Sequence, residues 1–450
     1  MMKSVVLSVF CLSCMALTAG NYEVSSPNGK VKVVVNTDQQ VTWSVSYDGK
    51  AIICPSVIDI QLQHGKKALS LGKVGKVAKK QVNSSFTTSF YKKSMIDDVY
   101  GQMLMYTKGK FTIEVRAYDD GAAYRLINNN TKPLIVKNET AGFCFAEDYN
   151  AFVPYVNDNR GGERYCYSFE SYYDEQKLSD MFKDSLAITP LAVCLPGGMK
   201  AIVMDAGVEN YPGMFVKKAA GNKLIAEFAP YPLEQEVGGF DRLNLVPTKR
   251  ADFIAKLEGR QALPWRAVVI TERDADILNC DMAQRLAPAC RIADTSWIKP
   301  GKVNWDWWNH WTVWNVDFET GINNPTYKHI IDCASRFGIE YILLDEGWNK
   351  RVQDPFTTRD EINVQELVDY GRQKNVGVWL WLSWLTVEQH MDLIPFYAKM
   401  GVKGLKIDFM DHSDQWMVNF YERVARECAR NHLLVDFHGS FKPAGMEQRL

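Results

Sequence analysis

From residue 303 onward the sequence repeats one unit: a short apolar run, a polar or acidic residue at its end, and then a segment with helical periodicity. The runs are 303–308, 340–345, 376–382, 402–409 and 433–438, roughly 30 residues apart, and 326–337, 362–374, 387–400 and 416–431 carry the helical spacing between them. Strands buried on both faces are apolar throughout, and a parallel strand pair needs a crossover long enough to hold a helix. The repeat therefore predicts a parallel α/β barrel of TIM type, in which residues at the strand C-termini converge on one mouth. A closed barrel of this type has about eight strands, and three units beyond the fifth would take on the order of 90 residues. The expectation is an incomplete (β/α)8 barrel, about five of eight strands, in a C-terminally truncated chain.

The earlier part of the chain has another character. Alternating runs at 30–35, 41–47 and 111–118, turned by Asp48-Gly49 and Asp119-Asp120-Gly121, predict a β-sandwich over 21–273. Residues 274–286 read as a helix, and 274–300 connect the sandwich to the barrel at 301–450. At the start, Lys3 precedes an apolar run from Val5 to Leu17 and the small residues Thr18-Ala19-Gly20. That is an export signal over 1–20, too short to span a bilayer, and it places the mature protein in the periplasm or outside the cell.

Lys and Arg total 52 against 53 Asp and Glu, a net charge of −1. Such a balance offers no footprint for nucleic acid or an anionic membrane and favours a neutral partner. The cysteines after Gly20 form no CxxC pair, so zinc and redox motifs are unsupported. No glycine-rich phosphate loop follows a strand, and neither HExxH nor GxSxG occurs, which removes the dehydrogenase, kinase and serine-hydrolase readings.

The strand ends carry the candidate chemistry: Trp305, Asp306 and His310; Asp345 and Trp348; Lys406, Asp408 and Asp411; Asp436 and His438. Asp408 is the leading catalytic candidate. Lys406 lies two residues before it, so both side chains leave a strand on one face and the ammonium can hold the carboxylate ionised. Carboxylates that accept from pairs of hydroxyls, beside indole faces that cover a pyranose ring, are the chemistry of sugar recognition.

These residues resemble a known pattern. Asp345-Glu346-Gly347-Trp348 followed by Lys406-Ile407-Asp408 is similar to retaining α-galactosidases. The sandwich-then-barrel order, with Asn210-Tyr211-Pro212-Gly213-Met214 and Asp436-Phe437-His438-Gly439-Ser440-Phe441-Lys442-Pro443, resembles glycoside hydrolase family 97. The family's inverting α-glucosidases carry a glutamate directly after the fifth-strand histidine and lack the fourth-strand aspartate. Here Gly439 follows His438 and Asp408 is present, so the resemblance is to the retaining branch.

The resemblance implies Asp408 as nucleophile, with Asp345, Lys406 and His438 around the sugar and Trp348 and Trp305 walling the pocket. It implies a neutral α-linked oligosaccharide as substrate and an acid/base glutamate beyond Leu450. It also implies a calcium ion, with Asp205 as a ligand from the sandwich. An α-glucosidase of the same family and a catalytically incomplete sugar-binding fragment are the alternative readings.

Overall fold

The computed structural model describes residues 20–88, 90–156 and 162–445. Residues 1–19, on which the export-signal reading falls, lie outside the described residues.

In the N-terminal half, Val31–Asn36 and Thr42–Tyr47 bury every second side chain, and Val33 faces Val45 across their ladder. Strands with one apolar face must pack that face on another layer. Two antiparallel sheets result, one nine-stranded and one ten-stranded. Their cores meet where Trp43 of the first lies edge-on to Tyr124 of the second, with ring centroids 4.9 Å apart. Arg266 is fully buried between the sheets, its Nε and Nη2 donating to the two oxygens of Glu139 at 2.7 and 2.9 Å. The single helix expected over 274–286 is instead two short ones, Asp274–Ile277 and Met282–Leu286. Asp281 between them accepts from the Tyr91 hydroxyl at 2.9 Å and from the Lys93 ammonium, which ties the chain down at the break.

The second half forms one sheet of five parallel strands in chain order: β1 (Val303–Trp305), β2 (Tyr341–Leu344), β3 (Gly377–Ser383), β4 (Gly404–Asp408) and β5 (Leu434–His438). The helices are α1 (Asn324–Phe337), α2 (Val364–Gln373), α3 (Trp384–Gln389), α4 (Leu393–Met400) and α5 (Gln415–Arg430). The expected helix 387–400 is split because α3 starts early, capped by Ser383, whose Oγ accepts from the Thr386 amide at 3.3 Å. One face of the sheet, through Ile342, Leu344, Val378, Leu380, Leu405 and Ile407, packs under the helices. The other carries Tyr341, Leu343, Trp379 and Trp381 below the polar strand ends. Gly404 admits the Trp379 indole, which would lie 2.3 Å from any Cβ there. Among the described residues no helix is long and apolar enough to cross a membrane.

The loop after β4 is the seam between the halves. Gly213 N donates to Ser413 O at 2.8 Å, Arg250 pairs with Asp414 at 3.1 Å, and Gln415 Nε2 donates to Asn210 O and Lys256 O at 2.9 and 2.8 Å. Asp411, expected at the mouth, is fully buried in this seam.

Candidate active site

Register assembles the site. Trp381, Lys406 and Asp436 form one row across β3, β4 and β5, and Ser383, Asp408 and His438 form the next. Paired positions in a sheet share a face, so residues distant in sequence stand side by side.

Asp408 is buried at the end of β4. Its Oδ2 accepts from Trp381 Nε1 at 3.0 Å and from His438 Nδ1 at 3.1 Å, with Lys406 Nζ at 3.7 Å. Its Oδ1 accepts from the Phe409 amide at 2.8 Å. Burial pushes this carboxyl up, but His438, Trp381 and Lys406 outweigh it and hold the group below the ordinary 3.8. Conversely, the Asp408 carboxylate raises the His438 imidazole above its ordinary 6.5 against burial and the Lys406 charge.

The linkage signs are opposite. The Asp408 contribution to stability is complete above 3.8 and is lost as pH falls through its lower folded value; that of His438 is complete below 6.5 and is lost as pH rises through its raised folded value. Replacing His438 with Gln removes the leading partner that holds Asp408 low. The acid limb of a kcat/KM profile is expected to move to higher pH, and an unmoved limb would mean that His438 does not tune Asp408.

Lys406 is 3 % exposed and sits between two carboxylates, Asp345 Oδ2 at 2.7 Å and Asp408 Oδ2 at 3.7 Å, with its ammonium 4.3 Å from the centre of the Trp305 ring. Trp305 Nε1 also donates to Asp345 Oδ2. Behind them, the buried Asp306 accepts from the Tyr327 hydroxyl at 2.6 Å and from the Asp345 amide at 3.1 Å. Burial, reinforced by the Asp345 charge and opposed by the Tyr327 hydrogen bond, pushes Asp306 up to about 7. Glu346, half-buried, is raised as well, by burial first and then by Asp241, Asp345 and Asp408. A cavity of about 580 Å³ opens in front of Lys406, His438, Asp436, Trp305 and Trp379.

Gly439 follows His438 at φ +61°, and a Cβ there would lie 3.0 Å from Asp408 Oδ1 and 3.1 Å from the Phe409 nitrogen. Any side chain at 439 must displace the Asp408 carboxylate or its amide partner, so the glycine and the aspartate belong to one arrangement.

Besides Asp411, Trp348 and Asp205 do not take their expected places. Trp348 is fully buried in the helix-side core, edge-on to Tyr397 at 5.8 Å, with its Nε1 donating to Trp381 O at 2.9 Å. The turn through Gly347 at φ 110° sends it inward, so Trp348 underlies the site and does not wall it.

Asp205 is 1 % exposed and fully engaged: Oδ1 meets Lys442 Nζ at 3.0 Å and Thr189 Oγ1 at 2.8 Å, and Oδ2 accepts from Met214 N at 3.0 Å with Arg266 at 3.9 Å. Calcium would need these same oxygens, and the adjacent ammonium repels a dication. Asp205 therefore does not fit a calcium ligand. Among the described residues no group of three or more His, Cys, Asp or Glu could hold a metal ion. Removing one partner of a buried ion pair costs about 3–5 kcal/mol. Asp205→Ala should lose that much by urea unfolding, equally with calcium and with chelator; a loss confined to calcium-containing buffer would restore the ligand role.

Trp381 is not among the strand-end candidates read from the sequence, yet it donates to Asp408. Its signal was the β3 register against Lys406, invisible without the pairing. His310, expected at the mouth, packs its ring against Trp307 and Trp311 in the exposed loop after β1.

Comparison with known proteins accords with this geometry. Residues 24–288 match the glycosyl-hydrolase 97 N-terminal family model, and residues 307–450 match that of glycoside hydrolase 97. A retaining alpha-galactosidase of Bacteroides thetaiotaomicron is 38% identical over 455 residues, covering 99% of this chain and 69% of that protein. A probable retaining alpha-galactosidase of Streptomyces bingchenggensis is 27% identical over 440 residues, covering 94% of this chain and 62% of that one. A glycoside hydrolase family 97 enzyme from a Pseudoalteromonas species, solved in complex with acarbose, superposes with a TM-score of 0.80 at 19% identity over 95% of this chain and 68% of its own.

Proposed function

This chain belongs to glycoside hydrolase family 97, and on that footing we propose that it is a retaining exo-α-galactosidase acting through a glycosyl-enzyme on Asp408. The observation that carries the reading is the Asp408 carboxylate, buried yet held ionised by His438, Trp381 and Lys406. Displacement at an anomeric carbon needs an ionised oxygen with a fixed direction, and the Trp381, His438 and Phe409 amide donors, with the Lys406 charge nearby, supply both.

In this mechanism Asp408 attacks C1 of a terminal α-galactoside. The C1–O bond to the aglycone breaks, and water later cleaves the resulting ester with a second inversion. Lys406 and Asp345 orient ring hydroxyls at the base of the cavity, and Trp305 offers its indole as a wall. A retaining mechanism pairs the nucleophile with a second carboxyl about 5 Å away that serves as acid/base. The five-stranded sheet is then part of a (β/α)8 barrel, and the segment 1–20 directs export. N-terminal sequencing of the mature protein, expected to begin near Asn21, tests the export assignment.

The deciding experiment is proton NMR of the first product released from 2,4-dinitrophenyl α-galactoside, whose leaving group needs no protonation. α-Galactose as the initial anomer supports retention; β-galactose refutes it. Running the matching α-glucoside decides between galactose and glucose, because the two differ at one ring hydroxyl.

A further inference from the structure

The strands Pro232–Gly238 and Asn244–Arg250 form a separate two-stranded hairpin on the sandwich side of the molecule. At its tip, Phe240 rests on Phe409, ring centroids 5.5 Å apart. Asn244, at the foot of the returning strand, is 2 % exposed and uses both ends of its amide. Nδ2 donates to Phe409 O at 2.8 Å and to Asp411 Oδ2 at 3.1 Å; Oδ1 accepts from Trp384 Nε1 at 3.1 Å and from Leu245 N at 2.8 Å. One sandwich side chain thus joins the ends of β3 and β4.

The turn it holds is unusual. Phe409 and Asp411 are non-glycine residues with left-handed φ of 67° and 51°, immediately after Asp408. Such conformations persist only where surrounding contacts over-determine them. Phe409 N donates to Asp408 Oδ1 at 2.8 Å and to His438 O at 3.1 Å, while the Phe409 carbonyl is the one that Asn244 holds. Tyr167 N adds a bond to Asp411 O at 2.8 Å, again from the sandwich half. If Phe409 relaxed to a negative φ, its amide and carbonyl could not both keep these partners, and Asp408 Oδ1 would lose its donor.

We propose that Asn244 is a positioning residue for the nucleophile: it clamps the turn 409–411 and so fixes the aim of the Asp408 carboxylate. The sandwich half is then a working part of the catalytic apparatus. The proposal rests on the reading of Asp408 as nucleophile.

Asn244→Asp is isosteric and keeps the acceptor for Trp384 and Leu245. It removes both donated bonds and sets a carboxylate against the Phe409 carbonyl and the Asp411 carboxylate. On 2,4-dinitrophenyl α-galactoside, kcat per folded molecule should fall about tenfold or more, because small misplacements of a reacting group are costly. KM should stay within about threefold, since no ground-state sugar contact is removed. The double variant N244D/D411N returns a donor between 244 and 411 but leaves the Phe409 carbonyl against a carboxylate, so its kcat should stay well below that of the parent.

A purely structural role would lower the melting temperature without lowering kcat per folded molecule, and that result would overturn the proposal, as would a double variant with parental kcat. Should Asn244→Asp not fold, Asn244→Ala, which introduces no charge, carries the same expectation, and a kcat within about threefold of the parent overturns it. Asp408→Asn is assayed alongside. If it retains parental turnover, the nucleophile reading itself fails; if it is inactive while the Asn244 variants are normal, only the clamp fails.

Discussion

Replacing Asp408 with glycine is expected to reduce hydrolysis of 2,4-dinitrophenyl α-galactoside by on the order of 10⁴-fold, as for other essential nucleophiles, and added azide should restore turnover. Truncating the carboxylate leaves space beside Trp381 Nε1, His438 Nδ1 and the Phe409 amide, the three donors that now serve it. A small anion suits that donor set. Attack by azide on the face opposite the leaving group gives β-galactosyl azide, with dinitrophenolate released and no ester formed. Thin-layer chromatography and NMR identify the product. Recovery without a β-azide, or retention of parental activity in the glycine variant, would remove Asp408 from the nucleophile position.

Lys406→Met is the second large effect. The side chain is similar in length and apolar, so packing against Trp305 survives while the charge is lost. Two buried carboxylates, Asp345 and Asp408, then lose the ammonium that stands 2.7 and 3.7 Å from them. Leaving buried charge uncompensated costs about 3–5 kcal/mol, so the urea midpoint should fall accordingly. Catalysis should fall further than stability. Lys406 is one of the groups holding the Asp408 carboxyl low, and without it the fraction ionised at a given acidic pH drops. A kcat/KM loss of about 10²-fold or more near neutral pH is expected, with the acid limb displaced upward. A variant as stable as the parent, with an unmoved acid limb, would show that Lys406 is not the electrostatic partner of Asp408.

Much of this was legible in the chain because it follows from local periodicity. Uninterrupted apolar runs with helical spacers yield parallel strands wherever they sit, and β1 to β5 fall on the runs. The two-residue offset between Lys406 and Asp408 puts both on one face by strand geometry alone, and both reach the same cluster. Asp345, closing the run of β2, is there by the same logic.

Trp348, three residues beyond Asp345, shows where that logic stops. Position after a strand end does not say which way a turn runs, and the conformation of Gly347 sends the indole into the core. Asp205 marks a second limit. An acid in a glycine-containing loop looks solvated or metal-binding by sequence, whereas Lys442 from beyond β5 and Arg266 from the sandwich enclose it.

By itself the sequence determined the five parallel strands, their order, and which of their side chains share a face, since these depend on spacings along one segment; where the helices break it did not. Only the tertiary structure decided the partners: Trp381 and His438 on Asp408, Lys406 between two acids, Asn244 on the turn after the nucleophile, Lys442 on Asp205. Hydrogen bonds and charge interactions act over a few ångströms of space, and their strength depends on burial. Strand register and the docking of the two halves bring those groups within reach, and neither is encoded in the spacing of any single segment.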